Sequence, residues 1–167
     1  MRSAVVFYSL EGNTRSAAQQ LAQRLGADTF EVRTVKAYPT KGLAKFIAGG
    51  KDSTFGKTPK IEPIDMDPSG YDLVVLALPV WAGKAAAPIN SFIEGRTFGK
   101  ARIALVIASA SGDASSCARD LAARLGRATA NMPTLSLKNP GRMAADELSA
   151  QVGSFAERLR HSAGGAF

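Results

Sequence analysis

The chain is poor in the residues that carry metal, thiol and imidazole chemistry. A single cysteine, Cys117, excludes an intrachain disulfide framework and a thiolate metal cluster. A single histidine, His161, stands in a polar C-terminal stretch. A His-based zinc site or a Ser-His-Asp triad would depend on that one residue, so both are set aside. No apolar run reaches the ~18 residues of a membrane span. The run Ala4 to Tyr8 is too short for a signal-peptide core and is followed by no clear cleavage site. The expectation is a soluble, cytoplasmic protein with no metal site, whose chemistry comes from a cofactor or from backbone and hydroxyl groups.

Acids are scarce too, with 14 against 21 basic residues, a net charge of +7. The excess is concentrated. Arg33, Lys36, Lys41, Lys45, Lys51, Lys57 and Lys60 stand against one acid, Asp52, so this stretch supplies +6. A basic patch suggests an acidic partner, nucleic acid or an anionic small molecule. A solvated loop that aids solubility is the simpler reading and is favoured over nucleic acid, because no aromatic-rich or helix-turn-helix pattern accompanies the charge.

What is present is the material of one globular domain. The length of 167 residues is close to the ~150 of a typical domain, and 46% of the residues are hydrophobic. Apolar runs alternate with helical periodicity. Strands are predicted at Ala4–Tyr8, Asp28–Val35, Asp72–Leu78, Arg102–Ala108 and Thr134–Leu137. Helices are predicted at Asn13–Leu25, Pro88–Glu94, Ala114–Leu125 and Ala144–Arg160, each with an apolar face. Cys117 falls on such a face and reads as core. Residues 36–70, rich in proline and glycine, read as an insertion between strands two and three. It has a short helix around Gly42 to Ala48, with Phe46, Ile47 and Phe55 as anchors. Residues 162–167 read as a frayed tail. The single domain thus spans 1–167.

Alternation of this kind implies α/β architecture: a doubly wound, five-stranded parallel sheet with helices on both faces. Such sheets bind ligands at the C-terminal ends of their strands, near the switch point in strand order. Three loops therefore matter: Ser9–Thr14, Pro79–Pro88 and Ser109–Asp113. In the first, Gly12 lets the backbone approach an anion, Ser9 and Thr14 offer hydroxyls, and Asn13 an amide at a helix N-terminus. Plain N-capping explains the same residues. Gly50 and Gly56-Lys57-Thr58 have the wrong glycine spacing for a nucleotide-binding P-loop and follow no buried strand. Tyr8-Ser9-Leu10 lacks the paired acids of a receiver domain.

Ser9-x-x-Gly12-Asn13-Thr14 after a first strand resembles the phosphate-binding loop of flavodoxins. Pro79-Val80-Trp81-x-Gly83, followed by Pro88 and Phe92, resembles the flavin-facing loop of flavodoxin-like proteins, a group that includes quinone reductases. The resemblance extends over residues 1 to about 160. It implies a three-layer sheet of order 2-1-3-4-5 and an FMN cofactor. The phosphate would be held by Ser9, Leu10, Glu11, Gly12, Asn13 and Thr14. The ring would lie between Pro79, Val80, Trp81, Ala82 and Gly83 and the loop Ser109, Ala110, Ser111, Gly112 and Asp113, with Trp81 stacking on or flanking it. No protein group is assigned a catalytic role, since the flavin carries the chemistry.

Three departures qualify the resemblance. Glu11 replaces a threonine common in flavodoxins and is expected to point to solvent, with Arg15 in compensation. The third loop has no aromatic. The chain is basic, whereas electron-shuttling flavodoxins are usually acidic. The implied function is electron or hydride transfer by an FMN-dependent oxidoreductase, such as a quinone or nitro-compound reductase, or by an electron-transfer flavodoxin. Implied partners are a redox protein or a small acceptor such as a quinone, with NAD(P)H as a candidate reductant and a homodimer left open. Phe46 and Phe55 are candidates to cover the ring. The alternative is a non-enzymatic binding or scaffold module that kept the fold and lost productive flavin use.

Overall fold

The strands form where apolar runs can be buried on both faces, and the helices form where one stripe is apolar. In the computed structural model, which describes residues 1–162, β1 (Ser3–Phe7), β3 (Leu73–Trp81) and β5 (Arg102–Ser109) make the centre of a parallel sheet. β2 (Asp28–Glu31) flanks β1, and β6 (Thr134–Lys138) flanks β5. β4 (Lys84–Ala85) is a two-residue antiparallel addition to β3. The order is β2-β1-β3-β5-β6. With β4 set aside, this is the expected 2-1-3-4-5.

Alternation along the strands divides the core in two. Val5, Phe7, Val75, Ala77 and Val106 face α1 (Asn13–Leu25) and α5 (Ala145–His161). Val6, Val74, Leu76, Leu105 and Ile107 face α3 (Ala87–Ile93) and α4 (Ser115–Leu125). Leu21, Leu76, Leu105 and Phe155 are fully buried. Each such side chain contributes roughly 1.5–3 kcal/mol on burial. Cys117 is buried on α4. No helix among the described residues is long and apolar enough to cross a membrane.

The insertion departs from expectation in three ways. β2 stops at Glu31, and the chain then pairs with its own returning limb. Thr34 bridges Ile61 antiparallel, Val35 N–H donates to the Lys60 carbonyl (3.0 Å), and Glu62 N–H to the Arg33 carbonyl (2.8 Å). The helix within it, α2 (Gly42–Thr54), continues through Gly49 and Gly50 instead of ending near Ala48. Two of its expected anchors are not anchors: Ile47 is 59% exposed and Phe55 71%. The side chains of Leu43, Phe46 and Ser53, and residues 163–167, lie outside the description, and with them the expectations for Phe46 and for the tail. Polar contacts hold α2 instead. Tyr38 Oη donates to Asp52 (2.7 Å), Lys57 pairs with the same carboxylate (3.4 Å), and Lys45 pairs with Glu11.

Candidate functional site

The C-terminal ends of β1, β3 and β5 open onto a cleft of about 670 Å³, within the ~300–1,000 Å³ usual for small-molecule sites. It lies where β1 and β3 send the chain in opposite directions across the sheet, the place at which doubly wound sheets bind ligands.

Its first wall is the turn from β1 into α1. Ser9 Oγ accepts from Gly12 N–H at 3.0 Å, closing a tight turn. Gly12 takes a φ of +93°, which residues with a Cβ avoid. No side chain caps α1, so its first N–H groups and the positive end of its dipole are left for a ligand. Ser9, Leu10, Glu11, Asn13 and Thr14 line the cleft here. Gly12 shapes the turn without lining it.

The second wall is the end of β3. A loop was expected at Pro79–Gly83, but β3 runs on to Trp81 and folds back through a two-residue turn into β4, pairing Trp81 with Lys84. Ala82 (φ +50°) and Gly83 (φ +76°) both occupy the left-handed region, the signature of the type I′ turn that suits strand twist. Pro79, Val80, Trp81 and Ala82 line the cleft, whereas Gly83 serves the turn. Tyr8 meets Trp81 edge-on at 5.4 Å between ring centroids, and Tyr38 meets it at 4.9 Å. A Cβ built on Gly49 would stand 3.0, 3.0 and 3.3 Å from Trp81 Cδ2, Cε3 and Cε2. Three near-equal distances place α2 over one face of the indole. Trp81 is the aromatic residue of the cleft wall among the described residues.

The third loop repeats the first. Ser109 Oγ accepts from Gly112 N–H at 2.9 Å, and Gly112 has a φ of +80°. Ser109 and Ala110 line the cleft, but Ser111, Gly112 and Asp113 are not among its lining residues. The Gly112 carbonyl accepts from Ser136 Oγ (2.6 Å), drawing the turn towards β6, and Asp113 accepts from Ser115 N–H (2.9 Å) at the start of α4. The hydrogen bonds from Ser115 hold the Asp113 carboxyl below its usual range. Their place is taken by the segment after β6, which sequence reasoning missed: Asn139, Pro140, Gly141 and Arg142. Asn139 ties it down, its backbone N–H donating to the Ser109 carbonyl (2.9 Å) and its Nδ2 to the Ala110 carbonyl (3.2 Å). Gly141 lies so close to Asn13 that a Cβ would come within 2.7 Å of Oδ1. The available signal was Asn-Pro-Gly-Arg at the end of a predicted strand. Lys45 and Gly50 of α2, and Ala108, were missed as well.

The charges also differ from expectation. Glu11 is exposed, as expected, but it is also held in an ion pair with Lys45 from the insertion. Arg15 does not compensate it but pairs with Glu31, which Arg33 also holds at 2.8 Å. Burial pushes the Glu31 carboxyl up, and the hydrogen bonds and charges of Arg15 and Arg33 outweigh it, leaving the pKa lowered. Burial pushes the Tyr8 phenol up to about 12. Burial, then the hydrogen bond and charge of Asp52, raises Tyr38 also. Both rings beside Trp81 are therefore neutral at physiological pH. Glu11 is the one acid on the cleft wall, against Lys45 and Arg142.

The doubly wound sheet thus brings an uncapped helix N-terminus and an aromatic side chain into one switch-point cleft, groups suited to a phosphate and to a flat ring. The family model described as flavodoxin matches residues 2–154, and the chain belongs to that family. Solved structures agree in fold. A putative flavoprotein from Bacteroides eggerthii DSM 20697 superposes with a TM-score of 0.72 at 21% identity, covering 93% of this chain and 98% of that one. A flavoprotein from Lactobacillus acidophilus NCFM, in complex with FMN, has a TM-score of 0.67 at 18% identity, covering 82% and 91%. An azoreductase from Bacillus anthracis str. Sterne has a TM-score of 0.53 at 14% identity, covering 96% and 100%. No curated protein matches the chain.

Proposed function

We propose that the protein binds FMN in this cleft and serves as a cytoplasmic flavoprotein in electron or hydride transfer. The observation that carries the reading is the pairing, in one cleft, of the uncapped α1 N-terminus with Trp81. The donor set suits the group. Backbone N–H groups around Gly12 to Thr14, with the Ser9 and Thr14 hydroxyls, hold the phosphate. Trp81 lines the cleft and offers an aromatic surface to a flat ring. Lys45 neutralises Glu11, the residue that would otherwise repel a phosphate.

Bound FMN supplies one- and two-electron chemistry, so no side chain is needed as acid, base or nucleophile. The chain's contribution is to orient the ring, shield it from water on the α2 side and hold the phosphate. The FMN complex of one structural neighbour and the azoreductase activity named for another support a redox role. Within that role we favour an oxidoreductase acting on a small acceptor such as a quinone over a simple shuttle, with NAD(P)H or a redox protein as the source of electrons.

Trp81 is the single tryptophan, which makes the test direct. FMN titrated into the purified protein should quench its emission, and the bound flavin should lose its own fluorescence. Riboflavin, which lacks the phosphate, should bind at least ~10-fold more weakly, as expected if the phosphate contacts are worth about 1.4 kcal/mol or more. Glu11→Gln should bind FMN no less tightly than the wild type. Absence of binding at micromolar FMN would defeat the redox reading in favour of a scaffold module that kept the fold alone.

A further inference from the structure

We propose that the outer side of the insertion, residues 33–60, docks an acidic one-electron carrier protein; this rests on the FMN reading above. The segment holds +6 of the chain's net +7. Lys36, Lys41, Lys51 and Lys60 are exposed and make no ion pair among the described residues. The single carboxylate of the stretch, Asp52, is already engaged by Tyr38 and Lys57. Four of the seven basic residues are therefore directed at solvent without a counter-ion among the described residues.

The same stretch gathers the exposed apolar side chains. Among the described residues, the exposed large hydrophobic side chains apart from Met1 are Val35, Ile47 and Phe55. Exposed apolar groups within a stretch of like charge mark a contact surface more than a solvated loop. The segment is closed at its base by the Thr34–Ile61 bridge. It stands at the site: α2 turns Lys45 and Gly50 to the cleft and Ile47 and Lys51 to solvent. A protein resting on the outer side is one helix diameter, about 10–12 Å, from the cofactor cleft.

The chemistry favours a protein over a nucleic acid. The free cations are lysines, whose hydrated point charges suit brief encounters, whereas the stretch's arginine, Arg33, is held by Glu31. Among the described side chains Phe55 is the exposed ring of the stretch, which gives no series of rings on which bases could stack. Opposite net charges steer the encounter and speed it. In that encounter one electron leaves the carrier's redox centre, oxidising it by one, and enters the cofactor, reducing it by one. No atom changes partner.

The test uses an acidic plant-type ferredoxin, a basic c-type cytochrome and a mixed-sequence DNA duplex as probes. Each is titrated into FMN-loaded and cofactor-free protein at about 20 and about 300 mM salt. The ferredoxin should bind at low salt and lose at least ~10-fold in affinity at high salt; the cytochrome should not bind. The charge reversal Lys36→Glu, Lys51→Glu, Lys60→Glu should abolish ferredoxin binding and leave FMN affinity unchanged, since none of the three lines the cleft. Ile47→Ser with Phe55→Ser should weaken binding severalfold with the salt dependence retained. FMN-loaded protein that ignores the ferredoxin overturns the docking proposal, as does tighter binding of DNA at the same lysines. Ferredoxin binding by a protein that retains no FMN overturns the redox reading and the partner's role as an electron carrier with it.

Discussion

Gly49 and Gly50 are neighbours in one helix, and the structure assigns their alanine variants opposite signs. Alanine gains roughly 1 kcal/mol over glycine in a helix interior, and both variants collect that gain. At Gly50 the new methyl meets only Ala82 Cβ at 3.8 Å, an ordinary contact. Gly50→Ala should therefore stabilise the protein by up to about 1 kcal/mol. At Gly49 the methyl meets Trp81 ring atoms at 3.0 Å. The indole cannot slide aside easily, because Tyr8 and Tyr38 stand against it. Overpacking of this kind costs about 1–3 kcal/mol. The two variants should differ by that amount, with Gly49→Ala between neutral and about 2 kcal/mol destabilised after the helix gain. Urea unfolding followed by circular dichroism gives the stabilities, and the emission of Trp81 reports the local change. Its wavelength and intensity should move in Gly49→Ala and stay in place in Gly50→Ala. Equal stabilities and equal emission in the two variants would refute the placement of α2 on the indole.

Ala82 sits at a left-handed φ in the tight turn after Trp81. Ala82→Gly should be neutral to slightly stabilising, and Ala82→Val should cost about 1 kcal/mol or more, because a branched Cβ is poorly tolerated there; urea midpoints separate the two. The Glu31 carboxyl has a folded pKa below its ordinary value. Its contribution is therefore present above the unfolded pKa and lost as the pH falls through the folded one. Urea midpoints from neutral pH into the acid range should show a shallower fall for Glu31→Gln than for the wild type. Burial pushes the Cys117 thiol up to about 12, so a disulfide reagent should label it only when the fold opens. Labelling of the native protein at the rate of a free thiol would contradict the packing of α4.

The sheet and its helices were legible because their signals are local. The runs Ala4–Tyr8 and Arg102–Ala108 can be buried on both faces, and Ala17, Leu21, Leu148 and Phe155 mark helical stripes. The Ser-x-x-Gly turns were legible for the same reason: a glycine three residues after a serine carries its own conformational requirement. Where a side chain points after such a turn was not legible. Ser111, Gly112 and Asp113 leave the cleft because Ser136, far along the chain, draws the Gly112 carbonyl towards β6.

The insertion shows the limit most plainly. Periodicity ends its helix near Ala48, because two consecutive glycines have poor helix propensity. The helix continues because Gly49 lies against Trp81, where a side chain would not fit. Phe46, Ile47 and Phe55 read as anchors by hydrophobicity, yet Ile47 and Phe55 are exposed, and ion pairs and Tyr38 hold the segment. By itself, then, the sequence determined the layer architecture and the glycine turns after β1 and β5. All of these depend on residues within a few positions of each other. Only the tertiary structure decided that Lys45 answers Glu11, that Asn139–Arg142 closes the cleft, and that α2 covers one face of Trp81. Those contacts join segments separated by tens of residues, and no local pattern encodes which of many compatible side chains will meet.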